Sequence, residues 1–240
     1  MSTAQATAGT GPLSQLAQAV YQHAALGVCL AVGCAPTLVV LTLLAATPAN
    51  VPFVVLAQLP VAPVLAAGLF AVRGWRAEPD EDPFVLFWRG CRSSTRDVLR
   101  WWVPALLVAT VLAVDLWASD AVPAAQVLRP AAAVLGVVLV LWSGQMLLVT
   151  TVFSFRTRDA ARVAAVMLVS QWRVTLVHVS LLVVAVGITT YGSDVLLALS
   201  AWALVSMLEA VSRPVVLDVM ERFTRHADQW PLPTDHRGRG

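Results

Sequence analysis

Long stretches without a charged residue dominate this sequence. The first covers residues 24–46, and a helix needs only about 20 apolar residues to cross the hydrocarbon core of a bilayer. Charged residues make up 12% of the chain and hydrophobic residues 58%, whereas about a quarter of the residues in soluble domains are charged. We therefore expect an all-α integral membrane protein, a bundle of about six transmembrane helices. The predicted spans are residues 24–46, 51–72, 101–117, 130–153, 174–191 and 195–212.

Prolines complicate the beginning of this topology. Pro52, Pro60 and Pro63 interrupt the second run, and proline lacks the N–H group that a helix interior uses. Membrane helices tolerate proline where neighbouring groups satisfy the freed carbonyls. We expect residues 51–72 to form one bent span. The alternative is a chain of five spans, in which residues 24–72 form one span plus a re-entrant segment.

Two arginine-bearing segments have the amphipathic pattern of cytoplasmic helices that lie in a membrane surface. They cover residues 83–100 and 158–171. Asp82 can cap the first of them, and Pro83 suits its first helical position. We expect its arginine face to contact anionic lipid headgroups or a partner protein. Its apolar face comprises Phe84, Phe87, Trp88, Cys91, Val98 and Leu99, and its arginine face comprises Arg89, Arg92, Arg96 and Arg100.

The arginines also predict the orientation of the chain. All sixteen basic residues are arginine, and fifteen of them fall within residues 73–100, residues 154–173 or the tail from residue 213 onward. The positive-inside rule makes these segments cytoplasmic, and both termini with them. We expect a single multi-pass membrane domain at 16–225 between disordered tails at 1–15 and 226–240.

Ionisable residues inside membrane spans are costly and are therefore default candidates for function. Asp115 is close to Trp117, which favours a position at the outer interface. His178 is near the inner interface, where a histidine that is either solvated or hydrogen-bonded within the core is favoured over a ligand. Glu209 precedes Arg213 by four positions, a spacing that favours an ion pair within one helix; contact with a partner protein is the alternative.

The sequence contains no pattern typical of a catalytic centre. The four histidines are scattered, and the three cysteines lack the spacing of a zinc site or a disulfide framework. We expect no enzymatic activity, no cofactor and no bound metal. The net charge of +2 is too small to indicate a nucleic-acid partner.

The order of apolar and aromatic motifs between residues 50 and 225 resembles the YesL family, small multi-spanning bacterial membrane proteins of unassigned molecular function. The resemblance implies a bacterial cytoplasmic membrane and an accessory role in carbohydrate uptake, with sugar transporter subunits as partners. It implies no catalytic residues. The matching motifs are Leu59-Pro60, Pro63, the run from Ala66 to Arg73, Pro83-Phe84, Phe87-Trp88-Arg89 and Asp115-Leu116.

These observations favour a non-enzymatic membrane protein that assists or assembles with a carbohydrate uptake system. The alternative is a small transporter or channel in its own right. A polar, water-accessible cavity around Gln58, Gln145 and Glu209 would favour the alternative, and a dry core would favour the accessory role.

Overall fold

The computed structural model describes residues 12–45, 47–77, 81–118, 125–152, 157–191 and 200–211, and every regular element in these ranges is helical. The all-α expectation is confirmed for this part of the chain. A short 3-10 turn, Pro48–Asn50, follows the first helix. The α-helices are α1 (Pro12–Leu43), α2 (Val51–Ala57), α3 (Val61–Ala77), α4 (Pro83–Ala118), α5 (Ala125–Val152), α6 (Thr157–Ser170), α7 (Trp172–Tyr191) and α8 (Ser200–Val211).

Among the described residues, four helical segments are long and apolar enough to cross a membrane, and α6 with α7, which meet at a 90° bend, would add a fifth if they form one broken span. α8 is the described part of the predicted span 195–212, and the rest of that span lies outside the described residues. The four segments are Leu16–Leu43, Val51–Trp75, Pro83–Leu116 and Arg129–Val152.

The two predicted tails lie mostly outside the part of the chain that the structure describes. At the amino-terminal side, residues 12–15 of the stretch 1–15 that was expected to be disordered already belong to α1. Residues 226–240 are not described.

α3 is the most deeply buried helix of the bundle. Small side chains allow its neighbours to approach closely. α1 runs antiparallel to it, since an added Cβ on Gly33 would meet Val64 and one on Gly68 would meet Leu30. The fully buried residues of α3 are Ala66, Ala67, Leu69 and Ala71.

Side chains of neighbouring helices donate hydrogen bonds to the backbone carbonyls at the break between α2 and α3. At the turn of residues 58–60 the Val61 N–H donates to the Gln58 carbonyl at 3.1 Å and not to the Ala57 carbonyl one turn before it, and Pro60 has no N–H to offer. Thr37 of α1 donates its hydroxyl to the Ala57 carbonyl at 2.6 Å, and Trp102 of α4 donates its indole N–H to the Gln58 carbonyl at 3.1 Å. Both helices belong to one candidate span, which agrees with the expected bent span.

α4 is one continuous helix, and this corrects the prediction of an interfacial helix at 83–100 followed by a separate span at 101–117. The predicted cap is confirmed, because the Phe84 N–H donates to Asp82 Oδ1 at 2.8 Å. No helix-breaking residue separates the two predicted segments, and Pro104 is accommodated inside the helix. At about 1.5 Å per residue α4 is roughly 54 Å long, longer than the hydrocarbon core of about 30 Å.

The amino-terminal half of α4 packs lengthwise and antiparallel against α3. Near one end of this contact, an added Cβ on Gly90 would lie 3.1 Å from the Cα of Ala67. Near the other end, Trp102 bonds to the Gln58 carbonyl. The arginine-bearing segment therefore lies alongside the second span, which is the physical reason that it does not form a separate surface helix.

The predicted faces of this helix are partly corrected as well. Phe87 and Val98 are buried, as expected for an apolar face, but Phe84 and Trp88 are exposed, Trp88 by 64%. The contact face is centred on Gly90, and a helix turns by about 100° per residue, so Trp88 lies almost opposite Gly90. The four arginines of the predicted arginine face are exposed.

α6 coincides with the second predicted amphipathic segment, 158–171, and it is a separate helix. It packs on α5: Trp142 donates its indole N–H to the Ala161 carbonyl at 3.3 Å, and Ala160 and Ala164 are buried. The chain then bends by 90° into α7.

Candidate functional site

A mostly buried ion pair joins α3 to α8. Arg73 donates its Nε–H to Glu209 Oε2 at 2.9 Å, and the side chains of Arg73 and Glu209 are 23% and 6% exposed. Arg73 also donates through Nη1 to the Thr151 hydroxyl of α5 at 3.1 Å. Removing such charges from water costs several kcal/mol, which the pairing offsets. The Arg73–Glu209 pair therefore ties three helices together.

The sequence prediction for Glu209 named a different partner. Arg213 lies outside the described residues, so the predicted intrahelical pair stays a prediction. Arg73 was assigned to a cytoplasmic loop, whereas the structure places it inside α3. Spacing along one helix identifies local pairs only, and nothing in the sequence connects positions that are 136 residues apart.

The arginines at 89, 92, 96 and 100 form an exposed row along α4, here called the α4 arginine face. Arg89 donates to Glu81 through Nη1 at 3.2 Å, and Arg100 donates to Asp97 at 3.0 Å. Arg92 and Arg96 make no hydrogen bond or ion pair to any residue that the structure describes. Two guanidinium groups of this row are thus available to a ligand or partner.

A cavity of about 370 Å³ lies among α1, α3, α5, α7 and α8, and we call it the interhelical cavity. Its lining is mainly aliphatic, with Thr37, Gln58 and His178 as its most polar members. The cavity is partly open to the surroundings of the bundle and is not a fully enclosed void.

The three polar residues expected to surround a water-filled cavity are placed in different environments. Gln58 lines the interhelical cavity, Gln145 is fully buried, and Glu209 is paired with Arg73. The lining of the interhelical cavity contains neither Gln145 nor Glu209 and carries no charged side chain. The described part of the bundle does not bring these three residues together in one polar cavity.

His178 and Asp115 differ in burial. His178 is buried, and its Nδ1 lies 2.9 Å from the Val174 carbonyl one turn earlier. Its ring packs on Gly144, where an added Cβ would come within 2.6 Å of Cδ2. Asp115 is exposed near the end of α4. Both residues therefore fit structural roles.

A smaller pocket of about 270 Å³ lies among α3, α4 and α5. Ser94 and Thr150 donate their hydroxyls inside their own helices, to the Gly90 and Met146 carbonyls. The Thr151 hydroxyl accepts from Arg73. The polar lining residues are Ser93, Ser94, Asp97, Thr150 and Thr151. Within the described ranges, no cluster of three or more His, Cys, Asp or Glu side chains has the geometry to hold a metal ion.

Sequence reasoning missed an aromatic cluster at the α1–α3–α8 contact. The His23 ring lies 5.7 Å from Trp75 and 5.2 Å from Trp202, measured between ring centroids. Aromatic pairs at these separations stabilise by about 0.5–1.5 kcal/mol each beyond their buried area. The three residues are far apart in the chain, so periodicity within one helix carries no signal of the cluster.

Within the described part of the chain, the buried side chain of Gln145 lacks hydrogen bonds at both of its polar atoms. It is 0% exposed, and neither its Oε1 nor its Nε2 has a hydrogen-bond partner among the described residues. Replacing it by leucine is expected to raise the free energy of unfolding by about 1–2 kcal/mol, because an unsatisfied amide is removed from the core. Reversible unfolding in mixed detergent micelles measures this. A loss of stability would show instead that the amide holds a bound water or another partner.

Comparison with protein-family models, curated proteins and solved structures returned no significant match to this chain. The resemblance to the YesL family therefore rests on the sequence motifs alone.

Proposed function

We propose that this chain is a non-enzymatic multi-span membrane protein that assists or assembles with a carbohydrate uptake system, and that it binds its partner through the α4 arginine face. The carbohydrate context comes from the resemblance to the YesL family. The observation that carries the docking proposal is the pair of unpartnered guanidinium groups on Arg92 and Arg96. Trp88 is exposed on the same side of the helix, and arginine with aromatic residues is the composition enriched at protein interfaces.

The geometry of α4 favours a protein partner over lipid headgroups alone. Arg89 and Arg100 are eleven positions apart on one helix, which corresponds to roughly 16 Å along its axis. The headgroup layer on each side of a bilayer is only about 5–8 Å deep. If α4 crosses the membrane, headgroups reach only part of the arginine row, whereas an acidic surface on a neighbouring subunit can follow all of it.

In the full topology that we propose, the chain crosses a bacterial cytoplasmic membrane six times and keeps both termini in the cytoplasm. α6 is the interfacial helix between two spans, and α8 is the described part of the last span. The positive-inside distribution of arginine supports this arrangement.

The transporter alternative has less support. It requires polar groups that converge on a path for a solute or ion. Arg73 and Glu209, a charged pair inside the described part of the bundle, are engaged with each other, and the interhelical cavity is lined mainly by aliphatic side chains. These features fit a structural bundle better than a conduction path.

The docking proposal predicts a specific loss of partner. In a gentle-detergent affinity purification, the Arg92→Gln/Arg96→Gln variant is expected to recover at least about tenfold less of an uptake-system subunit than the unmodified protein. Two interface arginines contributing more than about 1 kcal/mol each account for this loss. Quantitative mass spectrometry of the eluate measures it.

The matched control is Arg158→Gln/Arg162→Gln on α6, because these arginines are exposed and have the same four-residue spacing. The control removes the same charge from another segment and should keep the partner. An equal loss of the partner subunit in both variants would show that binding depends on the total positive charge and not on the α4 arginine face, which would contradict the proposal. Recovery of no uptake-system subunit with the unmodified protein would contradict the proposal.

A further inference from the structure

We propose that the interhelical cavity is a binding site for one acyl chain of a membrane lipid. The cavity lies among five helices and has a volume of about 370 Å³, which falls within the range of about 300–1,000 Å³ typical of ligand sites. Its lining carries no charged side chain. An apolar chain without formal charge is the chemistry that such walls accept.

The walls of the cavity continue into the outward apolar surface of α5. Val140 lines the cavity and is also 50% exposed, and Val137 and Val138 just before it are exposed as well. In a membrane-embedded bundle, acyl chains surround such valines. A chain that lies along α5 can therefore enter the cavity without crossing a polar layer, and this continuity identifies membrane lipid as the occupant.

One polar group inside the cavity has unused hydrogen-bonding capacity. The Gln58 carbonyl is engaged by Trp102, but the Gln58 side-chain amide makes no hydrogen bond to the residues that the structure describes. Its N–H groups can donate to a carbonyl oxygen. We assign them to the ester carbonyl at the head of the bound chain, which orients that end toward the break between α2 and α3.

Photochemical labelling tests the site in the unmodified protein. The probe is a phospholipid with a diazirine group in the middle of one acyl chain, reconstituted with the protein in vesicles of unlabelled phospholipid. The decisive positions are Leu65 of α3 and Leu204 of α8, because both line the cavity and neither belongs to the exposed outward surface of the bundle. Peptide mass spectrometry is expected to find label on them. Label confined to outward residues such as Val134 and Val137 would overturn the proposal.

Filling the cavity provides the second test. Ala185→Phe/Ala201→Phe adds two aromatic rings to the lining and is expected to lower the phospholipid retained after detergent exchange by at least about fivefold. Ala133→Phe makes the same change on an exposed position of α5 and should retain lipid as the unmodified protein does. Unchanged retention in a folded double variant would contradict the site. If that variant does not fold, the labelling result on the unmodified protein decides the question alone.

Discussion

Replacing Glu209 by glutamine is expected to lower the free energy of unfolding by about 3 kcal/mol, because it leaves the mostly buried Arg73 guanidinium without a counter-charge. The substitution preserves the size of the side chain, so packing changes little. Reversible unfolding in mixed detergent micelles is the measurement. The matched control is Asp97→Asn, which removes a carboxylate from the exposed pair with Arg100 and should cost less than about 1 kcal/mol.

A double replacement distinguishes the cost of an unpaired buried charge from the cost of losing the ion pair itself. Arg73→Met with Glu209→Leu removes both charges, and its stability should return to within about 1 kcal/mol of the unmodified protein, because apolar pairs of similar volume often replace buried ion pairs without loss. If the double variant were as unstable as the sum of the single variants, the two side chains would not be coupled.

Gly90→Leu is expected to lower the free energy of unfolding by about 3 kcal/mol, at the upper end of the usual cost of overpacking. An added Cβ already lies 3.1 Å from the Cα of Ala67 and 3.0 Å from the Phe70 side chain. Backbone cannot move aside as a flexible side chain can, so α3 and α4 must separate. The higher helix propensity of leucine returns only about 1 kcal/mol.

The control for this prediction is Gly136→Leu on α5, where an added Cβ meets nothing within 4 Å. That variant gains helix propensity without a clash and should be as stable as the unmodified protein or more stable by up to about 1 kcal/mol. Equal destabilisation of both variants would show that glycine is needed for another reason than the contact between α3 and α4.

The class of fold could be predicted from the sequence because it depends on local composition. Uncharged runs of sufficient length identify helices that can cross a membrane, and the cap at Asp82 follows from residue types next to one another. The fate of residues 83–100 depends instead on what packs beside them. An amphipathic pattern looks the same whether its apolar face meets lipid or another helix, so the continuity of α4 and its contact with α3 were not predicted.

The candidate site also combines features that depend on local sequence with features that depend on contacts between distant helices. The helical spacing of Arg92 and Arg96 places them on one side of a helix, and both are exposed in the structure. The partner of Glu209 on α3 and the interhelical cavity arise from helices far apart in the chain. A single sequence does not indicate which distant helices contact each other, because helical periodicity describes only neighbours within about four residues.

The break in the second span makes the order of synthesis matter. Thr37, which donates to the Ala57 carbonyl, is synthesised 20 residues before Ala57. Trp102, which donates to the Gln58 carbonyl, is synthesised 44 residues after Gln58. At about 5–20 residues per second, a ribosome needs roughly 2–9 seconds for that interval. During this interval the only described backbone donor to the Gln58 carbonyl is the Val61 N–H, at 3.1 Å. A chain truncated after α3 lacks Trp102 altogether, so its turn at residues 58–60 would keep only the bonds from α1 and from its own backbone.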